Sequence, residues 1–401
     1  VGCRLSIVKR PGRSDNTTTP AFFARISPMR IGIDVRLAYY RQGGISWYAI
    51  RLLTALAKID SENEYLLLQD RRHREPVVSA PNFRRVGLFT PTHHRLEQWP
   101  LSLETRRLGL DLIHSPDFIP PLHNRIPAVI TVHDLGFVLF PHFLTADAAR
   151  YYGQTELAAR RASRIIAVSH STANDLVRLM GVPEAKITVI YEAADPIFSP
   201  LPREEAKAHL NELGLHVPNE FILFVGTIEP RKNLHTLLQA YQRLRNDYRV
   251  DLPLLLAGAP GWLYDDIMKR VIELKLQEHV RFLGTVAANT ALRSLYNLAL
   301  LLAHPAYYEG FGLTVLEAMA CGTPVICSNA GSLPEVAGDA ALLIPPEDTE
   351  AWAAAMYRLL DDAELRADLR ARGLRQAARF SWEKAAQETL AVYRQTVTVG
   401  S

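Results

Sequence analysis

The 401-residue chain has no apolar run approaching the roughly 18 residues that a membrane-spanning helix needs, so no helical span is expected. Cysteine is scarce. Cys3, Cys321 and Cys327 are the whole complement, with no CxxC pair, which suits a reducing compartment and supplies no metal framework. Several motifs that fix a chemistry are also missing. Gly310-Phe311-Gly312 lacks the third glycine of a dinucleotide GxGxxG. There is no Walker phosphate loop, no HExxH zinc helix and no GxSxG nucleophile elbow. No two aspartates stand one residue apart, so the Asp-x-Asp metal clamp of many nucleotide-sugar enzymes is absent and no metal is expected. A dominant charge is lacking too. The formal +3 divides into +4 over residues 1–28, +3 over 29–195 and −4 over 196–401. The pI of 8.7 therefore reflects the N-terminal stretch and gives no argument for a nucleic-acid partner.

What is present is a chain longer than the roughly 250–300 residues at which a single core stops growing, so two domains are expected. Residues 1–28 are basic, rich in Thr and Ser, and lack the apolar core of a signal peptide. They read as a leader or disordered segment, with the natural start at Met29, where a clean strand begins. Strands are expected at 30–35, 65–69, 84–89, 111–115, 128–134, 164–170 and 186–191. Helices are expected at 45–59 and 145–163, and another from Ser171 or Thr172 as cap to Gly181 as stop. Pro196, Pro200 and Pro202 then mark a linker. A second alternating set follows, with strands at 221–226, 252–258, 280–284, 299–304 and 342–346. Its helices fall at 233–244, 263–275, 289–298, 349–360 and 364–379, and a terminal helix runs from Trp382 to about residue 396. Such alternation is the signature of doubly wound parallel sheets. The expected fold is α/β, two Rossmann-like domains, 29–195 and 196–380, facing across a cleft, with residues 381–401 as a terminal helix.

Ligands of such sheets bind at the carboxyl ends of strands, and the stretch 304–328 is the richest of these ends. It reads strand, Gly-rich loop, helix, strand, with Glu309 in the loop and Glu317 one turn into the helix. Between them Phe311, Gly312, Leu313 and Thr314 present backbone N–H groups at a helix N-terminus, a ready phosphate site. Carboxylates repel a phosphate, so these two need another target, and sugar hydroxyls supply one. Arg231-Lys232, beside Pro230, place two cations at the positive end of a further helix, which costs about 0.3–1 kcal/mol per charge when uncompensated. A diphosphate would satisfy both cations and the helix end, whereas solvated surface charges are the plainer alternative. His133 ends a buried strand and reads either as a satisfied structural histidine or as a sugar donor or catalytic group oriented by Asp134. Gly43-Gly44 is either a turn or a place where backbone approaches a phosphate closely.

With VGTIEPRKNLHTLLQAY, VHDLGFVLFP and the early Gly-Gly loop, the stretch EGFGLTVLEAMACGTPVI closely resembles the retaining family 4 glycosyltransferases of the GT-B fold, most of all bacterial mannosyl- and rhamnosyl-type transferases of polysaccharide assembly. The resemblance spans residues 29–395. It implies transfer of a hexosyl group, mannose-like, from a GDP- or UDP-linked sugar to a saccharide or lipid-linked acceptor, with retention and without metal or other cofactor. It assigns the ribose hydroxyls to Glu317 and the transferred sugar to Glu309. The diphosphate goes to Arg231, Lys232, Gly43-Gly44 and the backbone of Phe311 to Thr314, and His133 goes to the sugar or the reacting centre. The base is placed near Thr285-Val286, the acceptor over the first domain, and the terminal helix from Trp382 back onto that domain. One departure stands out: Tyr191-Glu192-Ala193-Ala194-Asp195 replaces the usual Asn-Gly-Val-Asp.

Two rival readings keep the same architecture: a nucleotide-sugar epimerase, which needs no acceptor, and a catalytically silent nucleotide-sugar-binding subunit. A cytoplasmic protein is expected. Arg71-Arg72-His73-Arg74, Arg84-Arg85 and Arg106-Arg107 suggest peripheral contact with the inner face of a membrane, although solvated faces explain such clusters equally.

Overall fold

The computed structural model describes Gly2 and residues 28–40, 43–94, 96–140, 150–286 and 288–400. The expected leader, apart from Gly2 and Pro28, lies outside them. Seven strands, β1 (Arg30–Asp34), β2 (Glu64–Asp70), β3 (Phe83–Leu88), β4 (Leu112–Ser115), β5 (Ala128–Val132), β6 (Arg164–Ala167) and β7 (Ile187–Val189), form one sheet in the order β3-β2-β1-β4-β5-β6-β7. Six more, β8 (Ile222–Val225), β9 (Leu254–Ala257), β10 (Val280–Gly284), β11 (Leu301–His304), β12 (Val325–Ser328) and β13 (Ala341–Ile344), form a second in the order β10-β9-β8-β11-β12-β13. Every pairing is parallel. Central strands such as β5 and β11 are buried along their whole length, as strands covered by helices on both faces must be. This is the GT-B architecture.

Helix Gly44–Ile59 buries Ala49, Leu52, Leu53 and Leu56, a stripe at helical spacing, against the first sheet. The terminal helix Trp382–Gly400 lies on the same core through Trp382, Ala386, Leu390 and Tyr393, far in sequence from everything it covers. Tyr393 Oη is 2.6 Å from His114 Nδ1 at the heart of the first domain. Between the sheets the chain passes through Ala193, buried in the first core, to Phe198, buried in the second.

Three expectations change. Residues 145–149 of the helix expected at 145–163 lie outside the described residues, and within them a turn at Gly153-Gln154 separates residues 150–152 from helix Thr155–Arg161. Helix His170–Met180 is capped by Ser169 rather than Ser171 or Thr172: its hydroxyl accepts from Thr172 N at 3.0 Å. Gly181, at φ +62°, does end it. Helix Arg203–Glu212 was not anticipated, nor was helix Gln98–Arg106. Its Pro100 sits in the first turn, where it is tolerated, and much of its apolar surface points outward, so the usual periodic signal is missing.

Candidate functional site

Each sheet has one place where neighbouring strands send their connections to opposite sides, β1/β4 in the first and β8/β11 in the second. The loops part there and leave a crevice at the carboxyl ends. β8 leads to Glu229 and the single 3₁₀ turn Pro230–Lys232; β11 leads through His304 to Glu309. The two loops are stitched together. Tyr307 N donates to the Arg231 carbonyl at 2.9 Å, and Asn233 Nδ2 donates to the Pro305 carbonyl at 3.1 Å. Asn233 holds φ +54°, a conformation asparagine tolerates better than most, and separates the turn from helix Leu234–Asp247.

Arg231 and Lys232 therefore precede the helix and are not uncompensated charges in its first turn. Lys232 Nζ donates to Glu309 Oε1, Arg231 Nη1 lies 3.4 Å from Glu309 Oε2, and Arg231 pairs with Glu229 at 2.9 Å. His304 Nε2, on a fully buried ring, lies 2.7 Å from Glu309 Oε1. Burial by itself would raise the Glu309 pKa. Lys232, His304 and Arg231 outweigh it and hold the carboxyl well below its usual range, so Glu309 is an ionised acceptor. The His304 pKa is lowered too, chiefly by burial, so the ring is neutral with Nε2 donating. His304 opens the stretch 304–328 but carried no assigned role; ending β11 only five residues before Glu309, it reaches the carboxylate from beneath the loop.

Opposite stands His133, just past β5. Its Nδ1 lies 2.9 Å from Glu192 Oε1 and its Nε2 3.0 Å from the Pro116 carbonyl. Burial disfavours the charge on this ring, yet the Glu192 carboxylate wins and raises its pKa. The orienting group is therefore Glu192, from the segment that departs from the family pattern. Asp134 instead accepts from Gly136 N at 2.8 Å. A carboxylate 59 residues away gives no local signal, which is why the neighbouring aspartate was the natural guess.

A cleft of about 490 Å³ brings together Gly43, Gly44 and His133 of the first domain with Arg231, Glu309 and Phe311 to Thr314 of the second. A Cβ on Gly44 would meet nothing of the protein within 4 Å. Gly312, at φ +96°, starts helix Leu313–Cys321, whose open end is on the cleft wall. Lys232 is buried against Glu309 and does not itself line the wall. Glu317 is half-buried one turn further on, accepting from Tyr296 Oη at 3.0 Å and within the field of Arg51 from the first domain. Burial outweighs both partners and pushes its pKa up to about 7. Val286 is outside the cleft lining and packs on the second-domain core.

The two domains touch directly along this cleft. A Cβ on Gly310 would fall 1.9 Å from the His133 carbonyl oxygen, so only glycine permits the approach. Thr172 Oγ1 lies 3.2 Å from the His133 carbonyl and 3.3 Å from that of Gly310. Glu335 of the second domain accepts from His170 N at 3.0 Å and Ser171 N at 2.9 Å, at the start of a first-domain helix.

Two family models match the chain. One described as "Glycosyl transferases group 1" matches residues 206–376, and one described as "Glycosyltransferase Family 4" matches residues 42–197. The chain is 37% identical over 374 residues to the O-antigen chain mannosyltransferase B of Escherichia coli, covering 88% of this chain and 97% of that protein. It is 29% identical over 398 residues to a D-inositol 3-phosphate glycosyltransferase of Kineococcus radiotolerans, covering 88% and 91%. Among solved structures, sucrose-phosphate synthase from Thermosynechococcus elongatus superposes with a TM-score of 0.74 at 25% identity, covering 93% of this chain and all of that one.

Proposed function

The chain belongs to the group 1, family 4 glycosyltransferases, and from that premise we propose that it moves a mannose-like hexosyl group from a GDP- or UDP-linked sugar to a saccharide or lipid-linked acceptor with retention and without metal. The observation that carries this reading is the joining of Arg231 and Lys232 to Glu309 opposite the open end of helix Leu313–Cys321. The mannosyltransferase relative, nearly all of which the chain covers, supports the sugar.

In this reading the leaving diphosphate is neutralised by fixed cations and a helix end in place of a metal ion. Glu309 is the cations' counter-ion, so donor binding exchanges one anion for another, and the displaced carboxylate accepts from hydroxyls of the transferred sugar. While paired with the cations it is ionised. Glu317, beside Arg51 and Tyr296, takes the ribose hydroxyls. His133 is held by both ring nitrogens, so its role is to fix the Pro116 and Glu192 segments and to place positive charge near the reacting centre. The leaving diphosphate itself deprotonates the acceptor on the face it departs from.

The test is a thermal-shift panel of GDP, UDP, ADP and dTDP sugars, followed by product analysis with the stabilising donor in the presence of EDTA. Transfer to a saccharide with an unchanged anomeric configuration is expected. Conversion of the donor sugar without an acceptor would indicate an epimerase instead.

Peripheral membrane contact has a specific surface to test. Trp99 is 70% and Phe89 72% exposed, with Leu96 and Leu103 beside them on and around helix Gln98–Arg106. The Arg71 guanidinium lies 4.8 Å over Phe89, and Arg106 and Arg107 close the helix. Apolar anchors ringed by arginines suit an anionic bilayer and a lipid-linked acceptor. Among the described residues no helix is long and apolar enough to cross a membrane. Co-sedimentation with phosphatidylglycerol vesicles should weaken with salt and with Trp99→Ala; binding indifferent to both would remove this part of the reading.

A further inference from the structure

The switch point of the first sheet, between β1 and β4, carries a second constellation that the donor reading does not use. Resting on that reading for the overall reaction, we propose that this crevice grips one hydroxyl of the acceptor, and that the acceptor's reacting unit is a neutral sugar, not a phosphorylated one. Ser115, the last residue of β4, is 2% exposed, and its hydroxyl has no hydrogen-bond partner within the protein. Asp117 follows two residues later. Its Oδ2 is taken by His93 Nε2 at 2.6 Å, whereas its Oδ1 is buried without a partner. Buried polar groups are nearly always satisfied, so two orphans at one strand end mark a place for a hydroxyl-sized partner.

The remaining wall, at the end of β1, fixes the charge. Arg36 is 1% exposed and fully engaged, by Asp34 at 2.7 Å, Glu97 at 2.5 Å and the Thr90 carbonyl at 3.0 Å. The guanidinium is thus matched by two carboxylates before Asp117 is counted. A dianionic phosphate here would meet an excess of negative charge and has no proton to offer Asp117. An alcohol fits: its O–H donates to Asp117 Oδ1 and its oxygen accepts from Ser115. The space is about 10 Å³, room for one oxygen-sized group. Leu37 lines both this crevice and the larger cleft, and His93, which holds Asp117, lines the larger one. A single hydroxyl therefore enters the crevice while its sugar ring lies in the cleft beside the donor.

The test is binding of methyl α-mannobioside and of myo-inositol 1-phosphate to the full chain, followed by saturation-transfer NMR without donor, with GDP titrated separately into the same preparations. The neutral glycoside should bind and the inositol phosphate should not. Ser115→Ala should weaken glycoside binding about three- to tenfold, as loss of one hydrogen bond does, leave GDP affinity unchanged, and hold or raise Tm, because an orphaned hydroxyl is removed. Asp117→Asn should weaken the glycoside while retaining GDP. The proposal is overturned if inositol phosphate binds as well as the glycoside, or if Ser115→Ala leaves glycoside affinity intact. Loss of GDP binding in the wild type would strike the donor reading alone.

Discussion

Glu309 shows how a single side chain can hold a binding site in readiness. Two cations with no anion between them would repel each other and would be poorly solvated in so buried a place. The carboxylate neutralises them, and in the proposed reaction the diphosphate would take over that role. Removing one cation should leave a fold that is intact but a leaving group less well neutralised. Lys232→Ala or Arg231→Ala should lower kcat/KM by about one to two decades, the worth of a charge-assisted contact of roughly 1.5–3 kcal/mol. Steady-state kinetics alongside circular dichroism would check it; unimpaired turnover would reassign the residue. Glu317 invites a different measurement. Its carboxyl titrates near 7 in the folded chain against 4.5 for the ordinary group, so the unfolded chain loses this proton first. Stability is accordingly lost as pH rises from about 4.5 to 7. Glu317→Gln should therefore be more stable than wild type above pH 7, with the Tm advantage fading towards pH 4.5. The same change should weaken nucleoside diphosphate binding, which calorimetry at pH 8 would show.

Among the elements, those with a strong period were legible from sequence. β5 is a continuous apolar run because both its faces are covered, and helix Gly44–Ile59 shows its buried stripe plainly. The positions of Glu309, Arg231-Lys232 and the Gly312 helix start could also be placed, since each follows a recognisable strand. What could not be read were contacts made across the fold. His133 meets Glu192, and Glu309 meets both cations, through strand adjacencies that sequence spacing does not encode. Helix His170–Met180 was legible in its span and its Gly181 stop but not in its caps: Ser169 caps it locally, while Glu335 caps it from the other domain. Glu335→Ala should cost about 0.5–2 kcal/mol, the usual range for a lost cap, measured by chemical denaturation. Because the contact spans the domains, it should also lower donor affinity, whereas Ser169→Ala should affect stability alone.

For the whole molecule the decisive contact is the one at Gly310. A methyl group there cannot be accommodated while the His133 carbonyl stays where it is. Gly310→Ala should hold the domains apart, raise the radius of gyration in X-ray scattering, and reduce activity far more than it reduces the stability of either core. A variant as compact and active as wild type would show that the seam can shift without loss. The terminal helix has a consequence of another kind. Since Trp382, Leu390 and Tyr393 complete a core begun by Ile31 and Leu52, the second domain is topologically an insertion within the first. During synthesis the second domain has all its residues before the first does, and the N-terminal sheet must wait, partly uncovered, until the last helix leaves the ribosome. A chain ending at Ser381 should thus keep a folded second domain beside a first domain that unfolds early and attracts chaperones, a difference that pulse proteolysis would resolve.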